Sequence, residues 1–262
     1  MLGRGLHVTY LFKTGQHLSA CYQVAKEFQE QLVKHEQNVV RSLFEPILQA
    51  IANLCGKSDE PLVLTGEFMD EGKSIEAGKK TSNRLALETL YMAKAIVAFY
   101  MQEFQLASEW AKKSSPVKKG WNMCGPMVFM QIFFEGMGHL VSHRPNIRGA
   151  KGCLRDLRRH GRSAPSVLCM EIFLLEAELA SLKGNDHEAQ EKFEMAISMA
   201  QRRGVSPEQA FACERAAAFM TKIGRSSEAT RYLAEALELY KRWGFNLVVK
   251  RKLQNKSPSA VQ

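Results

Sequence analysis

Proline, long β-branched runs and long hydrophobic stretches are all scarce in this sequence. Only eight of the 262 residues are proline, although 45% are apolar, and this composition favours helices. The longest apolar stretch, residues 127–140, is interrupted by Gln131, Glu135 and His139 and is too short to span a bilayer. The first residues lack the apolar core and cleavage site of a signal peptide. We therefore expect a soluble, helical, intracellular protein without a membrane span.

Closely spaced cysteine pairs are also missing. The six cysteines are scattered along the chain, at Cys21, Cys55, Cys124, Cys153, Cys169 and Cys213. In a chain of this length, such spacing favours reduced and mostly buried thiols over a disulfide framework. We expect a cytoplasmic location.

Recognisable catalytic motifs are absent. Residues 66–74 resemble a phosphate-binding loop, but five residues instead of four precede Gly72-Lys73, and three of the five are acidic. His139 and His143 have the i, i+4 spacing of metal ligands on a helix, without an evident third ligand. The sequence contains no nucleophile motif, nucleotide-binding glycine fingerprint or kinase signature. We predict a non-enzymatic protein with no catalytic, cofactor-binding or metal-binding residues.

The strongest positive signal is a pattern that recurs at a spacing of forty residues. Its small residues allow two helices to approach closely, and its glycines suit the left-handed turn just past a helix end. Self-similarity at a period of about 20–50 residues is typical of stacked helical units. The pattern predicts an all-α fold, an α-solenoid in which antiparallel helix hairpins form a superhelix. The matched positions are Gly184, Ala189, Phe193, Ala196 and Gly204, which recur as Gly224, Ala229, Leu233, Ala236 and Gly244.

The same periodicity divides the chain into four parts. A weaker copy of the repeat begins at Tyr91, and helical spacing extends upstream to the first residues. Residues 56–80 break the rhythm and are expected to form a connector with one short helix near residues 70–79. The predicted parts are N-terminal helices of the array at 1–55, the connector at 56–80, repeats at 81–244 with the clearest copies at 166–204 and 206–244, and a basic C-terminal tail at 245–262.

The net charge of +9 is concentrated in a few segments. Residues 144–162 hold seven basic residues and a single acid, Asp156. The predicted helix at 147–160 is amphipathic, with a basic face opposite its apolar side, and that face consists of Arg148, Lys151, Arg155 and Arg159. A solvated outer surface explains such a face, and an acidic protein partner or an anionic nucleic acid or membrane are the alternatives. Nucleic acid and membrane are the least favoured, because no aromatic-interleaved basic strand or zinc framework accompanies the charge.

The alanine ladder and its Trp-Gly ending form the most specific pattern of the C-terminal half. The residues are Leu174-Leu175-Glu176-Ala177-Glu178-Leu179-Ala180, Gly184, Ala189, Phe193, Ala196-Ile197, Ala200 and Gly204, then Ala210, Glu214, Ala217, Phe219, Gly224, Ala229, Tyr232-Leu233, Ala236, Tyr240 and Trp243-Gly244. This pattern resembles the tetratricopeptide-like region of large multidomain signalling ATPases, and the resemblance covers most of residues 43–244. In that family the array follows a STAND-type ATPase module, often precedes a GAF sensor with a histidine kinase, and often accompanies a serine/threonine kinase-like domain.

The resemblance implies a scaffold or regulatory module for protein–protein interaction in signal transduction. By analogy with tetratricopeptide repeats, the inner helices are expected to line a concave groove that holds a peptide or a neighbouring domain, such as an ATPase, sensor or kinase domain. The expected groove residues are Glu171, Leu174, Glu178, Glu214, Ala218 and Lys222.

The ATPase, sensor and kinase parts of that family are missing from this sequence. Solenoids also normally end in polar capping elements, which neither end of the chain displays. We therefore expect a fragment, or a short paralogue that works with the missing parts in trans. Two alternatives stay open: a coupling segment of a larger ATPase or kinase polypeptide, and a nucleic-acid-binding α-solenoid that uses the basic face.

Overall fold

The computed structural model describes residues 1–114, 125–162 and 165–247, without the side chains of residues 125–127 and 165–167. These residues form twelve α-helices and no β-strand, which confirms the prediction of an all-α chain for the described part. The helices are α1 (Leu2–Lys13), α2 (Leu18–Lys34), α3 (Asn38–Leu54), α4 (Glu71–Lys80), α5 (Arg84–Tyr100), α6 (Phe104–Lys113), α7 (Gly125–Leu140), α8 (Ile147–Gly161), α9 (Pro165–Leu182), α10 (Asp186–Arg203), α11 (Ser206–Lys222) and α12 (Ser226–Trp243).

Packing runs mainly between helices that follow one another along the chain. The pairs α9–α10 and α11–α12 have the most extensive contacts. The helix α3 packs on α5 rather than on α4, the next helix in the sequence. Turns of two or three residues join α5 to α6, α9 to α10, α10 to α11 and α11 to α12, so the helices of each of these pairs run in opposite directions. The buried hydrophobic side chains of the eleven described helices other than α4 belong to one continuous core, and α4 packs the partly buried Ile75 against it.

The forty-residue pattern has a direct structural counterpart in the last four helices. Gly184 and Gly224 both have φ of +77° in the turn inside each hairpin. Gly204 ends α10 and Gly244 ends α12 in the left-handed conformation, with φ of +69° and +89°. The small residues of the pattern are buried where paired helices meet: Ala177, Ala189, Ala196, Ala217, Ala229 and Ala236.

Aromatic contacts join the C-terminal helices to the beginning of the chain. The Trp243 ring lies 5.8 Å from Phe12 of α1 and 4.8 Å from Tyr100 of α5, measured between ring centroids. The Phe211 ring of α11 lies 4.4 Å from the Phe99 ring of α5. The side of α11–α12 that faces these rings is therefore covered by α1 and α5, which the sequence pattern did not predict.

Buried polar side chains hold the connector between α3 and α5. Gln49 and Asn53 are both fully buried on α3. Asn53 Nδ2 donates to the carbonyls of Pro61 and Val63 at 2.9 and 2.7 Å, and the Gln49 Oε1 atom accepts from the Phe68 amide at 2.9 Å. The connector therefore packs tightly on α3, and α4 lies where the sequence predicted a short helix.

Two further expectations concern the membrane and the cysteines. Among the described residues, no helix combines the length and the apolarity needed to cross a membrane. No disulfide joins the five cysteines of that part of the chain; Cys124 and most of the basic tail, from residue 248 onward, lie outside it.

Candidate docking groove

The groove residues expected from the resemblance lie on two neighbouring helices, α9 and α11. Arg215 Nε donates to Glu178 Oε1 at 2.6 Å, and Lys222 Nζ donates to the Ser181 carbonyl at 2.6 Å. These contacts join residues 37 and 41 positions apart, close to the forty-residue period. The first helices of the two repeats are therefore neighbours in matching register.

Three of the six expected groove residues are nevertheless buried within the protein. Leu174 has no exposed surface, and Glu178 and Glu214 are 8% and 5% exposed. Glu214 accepts from Gln102 Nε2 at 2.5 Å and from the Tyr240 hydroxyl at 2.9 Å. The turn between α5 and α6, which carries Gln102, covers this part of α11. Leu174 is a core residue here, Ala218 and Lys222 are exposed to solvent, and Glu171 is half-buried at a partly open pocket.

A second surface, on α8, has the shape and charge of a docking site. The Asn146 side chain caps α8 by accepting from the Gly149 amide at 2.9 Å. The apolar side of α8 is buried through Ala150, Leu154 and Leu157. The cationic side chains on the opposite side of the helix therefore face outward. Basic residues in the last turn also suit the negative end of the helix dipole. The sequence therefore explains both the helix and its cationic outer face.

Between α8, α9 and α10 this face becomes one wall of a groove with a volume of about 790 Å³. Seven of the twelve lining side chains are cationic and two are carboxylates. We call this surface the α8 groove. Its lining residues are Lys151, Leu154, Arg155, Arg158, Arg159, Arg162, Glu176, Leu179, Ala180, Lys183, Glu188 and Lys192.

Both carboxylates of the α8 groove already have partners within the protein. Glu176 lies 2.6 Å from Arg158 Nη2 and 3.3 Å from Lys192 Nζ, and Glu188 accepts a hydrogen bond from Asn185 Nδ2 at 3.2 Å. The cationic excess of the groove is therefore presented to solvent, where Lys151, Arg155 and Arg159 are all exposed.

The structure separates the four residues of the predicted basic face. Lys151, Arg155 and Arg159 line the α8 groove, whereas Arg148 is exposed outside its lining. Sequence reasoning did not include Arg158 and Arg162 in the face, although both belong to the basic segment at 144–162. Lys183 and Lys192 come from the next hairpin, so no helical periodicity within α8 was able to reveal them.

Two other concavities lack this charge. One, of about 680 Å³, lies between α3, α4 and α5, and its Arg41 and Glu45 pair with each other at 2.8 Å. The other, of about 330 Å³, lies on α11 and α12 and includes Glu214 and Ala218 of the expected groove. Of these three concavities in the described part of the chain, the α8 groove has the large excess of one sign of charge.

The segment that resembles a phosphate-binding loop has structural roles for its acidic residues. Asp70 caps α4 by accepting from the Lys73 amide at 2.9 Å, and Glu71 accepts from the Leu64 amide at 2.7 Å. Glu67 lies 3.1 Å from Lys26 Nζ. All three carboxylates therefore have partners within the protein.

The two histidines that sequence spacing placed together do not belong to a metal cluster. Across residues 1–114, 125–162 and 165–247, no group of three or more His, Cys, Asp or Glu side chains is arranged to hold a metal ion. Burial and the nearby Lys112 lower the pKa of His139.

Comparison with known proteins adds no constraint on these surfaces. No protein-family model, no curated protein and no solved structure matches this chain. The functional argument therefore depends on the geometry and charge of the chain itself.

Proposed function

We propose that this chain is a non-catalytic helical-repeat module for protein–protein interaction, and that its α8 groove binds an acidic segment of a protein partner. The observation that supports the proposal is a groove lined by seven cationic side chains and only two carboxylates, of which Glu176 is already ion-paired with Arg158 and Lys192. Complementary charge accelerates association and selects partners of the opposite sign. An acidic segment is therefore the occupant that this groove favours.

The repeat geometry of the last four helices supports a tetratricopeptide-like arrangement. Matching glycine turns recur at Gly184 and Gly224, and side-chain contacts join α9 to α11 near the repeat distance. Stacked helix pairs of this kind typically present extended binding surfaces. We propose a short superhelical array that serves signal transduction as a scaffold in the cytoplasm, in line with the resemblance described above.

The groove lining favours a peptide over a nucleic acid. Leu154, Leu179 and Ala180 form the floor and are only 6%, 5% and 2% exposed, so the Arg and Lys side chains provide most of the groove surface. Single-stranded nucleic acids are usually held by aromatic side chains on which bases stack. None of the twelve residues that line the α8 groove is aromatic.

Fluorescence anisotropy on the full chain tests this proposal. The probe is a labelled helical peptide of Glu, Leu and Ala, and its control is the same peptide with Gln in place of every Glu. We expect saturable binding of the acidic peptide and loss of at least tenfold in affinity in the Arg155→Glu, Arg159→Glu double variant. Arg148→Glu is the matched control, because Arg148 is on the same helix outside the groove, and it should retain most of the affinity.

Nucleic acid is the competing ligand in the same assay. A nucleic-acid-binding surface would bind labelled single- and double-stranded DNA and RNA, with a log–log salt slope of about −0.9 per contacted phosphate for B-DNA. Tighter binding of these probes than of the acidic peptide contradicts our proposal. Equal binding of the Glu and Gln peptides also contradicts it.

A further inference from the structure

The cations of the α8 groove differ in whether the protein already pairs them. At the middle of the groove, Glu176 lies between Arg158 Nη2 at 2.6 Å and Lys192 Nζ at 3.3 Å. Arg159 lies 3.3 Å from Asp156, one turn away on α8. Four other cations of the lining are exposed and form no ion pair with a carboxylate of the described residues: Lys151, Arg155, Arg162 and Lys183.

Contacts between α8 and α9 fix the direction of the two helices. A Cβ atom at Gly161 of α8 would lie 3.4 Å from Ile172 Cδ1 of α9. Three residues earlier on α8, Arg158 contacts Glu176, which is four residues later on α9. The two helices therefore run in opposite directions, with Arg158 and Glu176 at the same level.

This arrangement brings two lysines to one end of the groove. Lys151 lies seven residues before Arg158, and Lys183 lies seven residues after Glu176. Each is about 10 Å from the central ion pair along its own helix, on the same side of it. Arg155 is one turn after Lys151 on the same face of α8. We call this part of the α8 groove the lysine end.

One carboxylate belongs to the lysine end. Glu188 lies one turn before Lys192 on α10, and Lys192 contacts Glu176. Because α10 runs opposite to α9, Glu188 lies toward the end of α9, where Lys183 follows. It accepts a hydrogen bond from Asn185 Nδ2 at 3.2 Å. Three cations against this one carboxylate leave an excess of two positive charges.

A phosphate group matches this excess better than a carboxylate does. A carboxylate of a partner supplies one negative charge, whereas phosphoserine or phosphothreonine carries about −1.5 to −2 at neutral pH and has three acceptor oxygens. Arginine binds phosphate through two parallel hydrogen bonds, and lysine ammonium groups supply further donors. Clusters of arginine are a recurrent means of recognising phosphorylated segments.

We propose that the lysine end binds the phosphate group of a phosphorylated serine or threonine in the partner segment, an inference that rests on the docking function proposed above. The Arg155 guanidinium and the ammonium groups of Lys151 and Lys183 surround the phosphate. The rest of the α8 groove holds the acidic residues of the same segment. Phosphorylation of the partner therefore strengthens its docking.

Fluorescence anisotropy on the full chain tests this inference with a series of labelled peptides. The parent is the peptide of Glu, Leu and Ala, and each other member carries phosphoserine in place of one Glu. We expect the best phosphopeptide to bind at least about tenfold more tightly than the parent, a ratio that one charge-assisted hydrogen bond can supply. If the parent binds and no phosphopeptide binds more tightly, the phosphate site is overturned and the docking function stands. If neither the parent nor any phosphopeptide binds, both are overturned.

Variants connect the gain in affinity to the lysine end. Lys151→Gln with Lys183→Gln should remove most of the gain from phosphoserine and should weaken binding of the parent peptide less. Both lysines are exposed, so the chain should stay folded, which circular dichroism verifies. Arg148→Gln, on α8 outside the groove lining, should keep the full gain. An undiminished gain in the double variant would overturn the assignment of the phosphate site to the lysine end.

Competition with inorganic phosphate separates a phosphorylated segment from free phosphate as the ligand. We expect inorganic phosphate to displace the labelled phosphopeptide far less effectively than the unlabelled phosphopeptide does, because it lacks the acidic residues that bind the rest of the groove. Equal displacement at equal concentration would show a site for free phosphate and would overturn the proposal.

Discussion

The Phe12 and Trp243 rings lie 5.8 Å apart and join the first helix of the chain to the last. In an extended solenoid each repeat contacts only its neighbours. Here Trp243 also meets Tyr100 of α5 at 4.8 Å, and Phe245 lies 6.1 Å from the same ring. An aromatic cluster therefore brings α1 and α5 into contact with α12, and we expect α1 and α12 to stabilise each other.

This closure predicts energetic coupling between α1 and α12. Phe12→Ala and Trp243→Ala should each lower the free energy of unfolding by about 3–5 kcal/mol, and a double-mutant cycle should give a coupling of about 0.5–1.5 kcal/mol. Urea unfolding measures both quantities. Tyr10→Ala, at a position on α1 that is 64% exposed, serves as the control and should have little effect. Additive effects of the two core substitutions would show that the ends do not cooperate.

The ion pair between Arg215 and Glu178 should contribute more to the free energy of unfolding than the exposed pair between Arg159 and Asp156. The side chains of the first pair are 16% and 10% exposed, and those of the second are 69% and 48% exposed. Arg215→Ala leaves a largely buried carboxylate unpaired, which should cost about 3–5 kcal/mol of unfolding free energy. Arg159→Ala should cost less than about 1 kcal/mol. Chemical denaturation measures both variants, and similar losses would contradict the assignment of Arg215 to the interface between α9 and α11.

Two glycines provide a matched test of the repeat turns. A Cβ atom added at Gly184 or at Gly152 meets no atom within 4 Å, but Gly184 has φ of +77° and Gly152 lies inside α8. Gly184→Ala should therefore destabilise the fold by roughly 1–2 kcal/mol through backbone strain alone. Gly152→Ala should stabilise it by roughly 0.5–1 kcal/mol. Relative to the wild type, the midpoint temperature of thermal unfolding should fall for Gly184→Ala and rise for Gly152→Ala. A change in the same direction for both variants would contradict the turn geometry.

Stability should fall as the pH rises through the neutral range, because of Glu208. Burial and the neighbouring Glu171 raise the pKa of the Glu208 carboxyl from 4.5 to about 8. The folded protein therefore keeps a proton that the unfolded chain has already released, so stability is fully present below the unfolded-state pKa and decreases toward pH 8. The slope can reach about 1.4 kcal/mol per pH unit for one proton.

Urea unfolding at several pH values between about 6 and 8 checks this expectation. Glu208→Gln should flatten the decrease, and the same change at the exposed Glu60 should leave it unaltered. The lowered pKa of His139 contributes in the opposite direction near pH 6, and its contribution cancels in the comparison of variant with wild type. A wild-type profile parallel to that of Glu208→Gln would contradict the prediction.

The sequence was most informative where small residues recur. The helices from α9 to α12 and their glycine turns were predictable, because equivalent residues have the same role one repeat apart. Ala189 and Ala229 are both buried, and Gly204 and Gly244 both end a helix in the left-handed conformation. The burial of Gln49 and Asn53 was not predictable, since amide side chains on a helix usually face solvent. Their role is visible only once the connector lies against α3.

The burial of Leu174, Glu178 and Glu214 in the expected groove was not predictable for a related reason. The turn that carries Gln102 covers Glu214 from a position 112 residues away, and no local pattern reports such a contact. Only part of the α8 groove was predictable from the sequence. Its wall on α8 follows from the amphipathic charge pattern, whereas Lys183 and Lys192 join it only through the packing of α9 and α10.

Photo-crosslinking tests the central claim about the α8 groove most directly, on the unaltered protein. The acidic Glu, Leu and Ala peptide would carry benzoylphenylalanine in place of one leucine, and mass spectrometry would locate the attachment sites. Our account predicts crosslinks to the groove walls, on α8, on the second half of α9 and on the first half of α10. Crosslinks confined to the concavity on α3, α4 and α5, or to the one on α11 and α12, would contradict it.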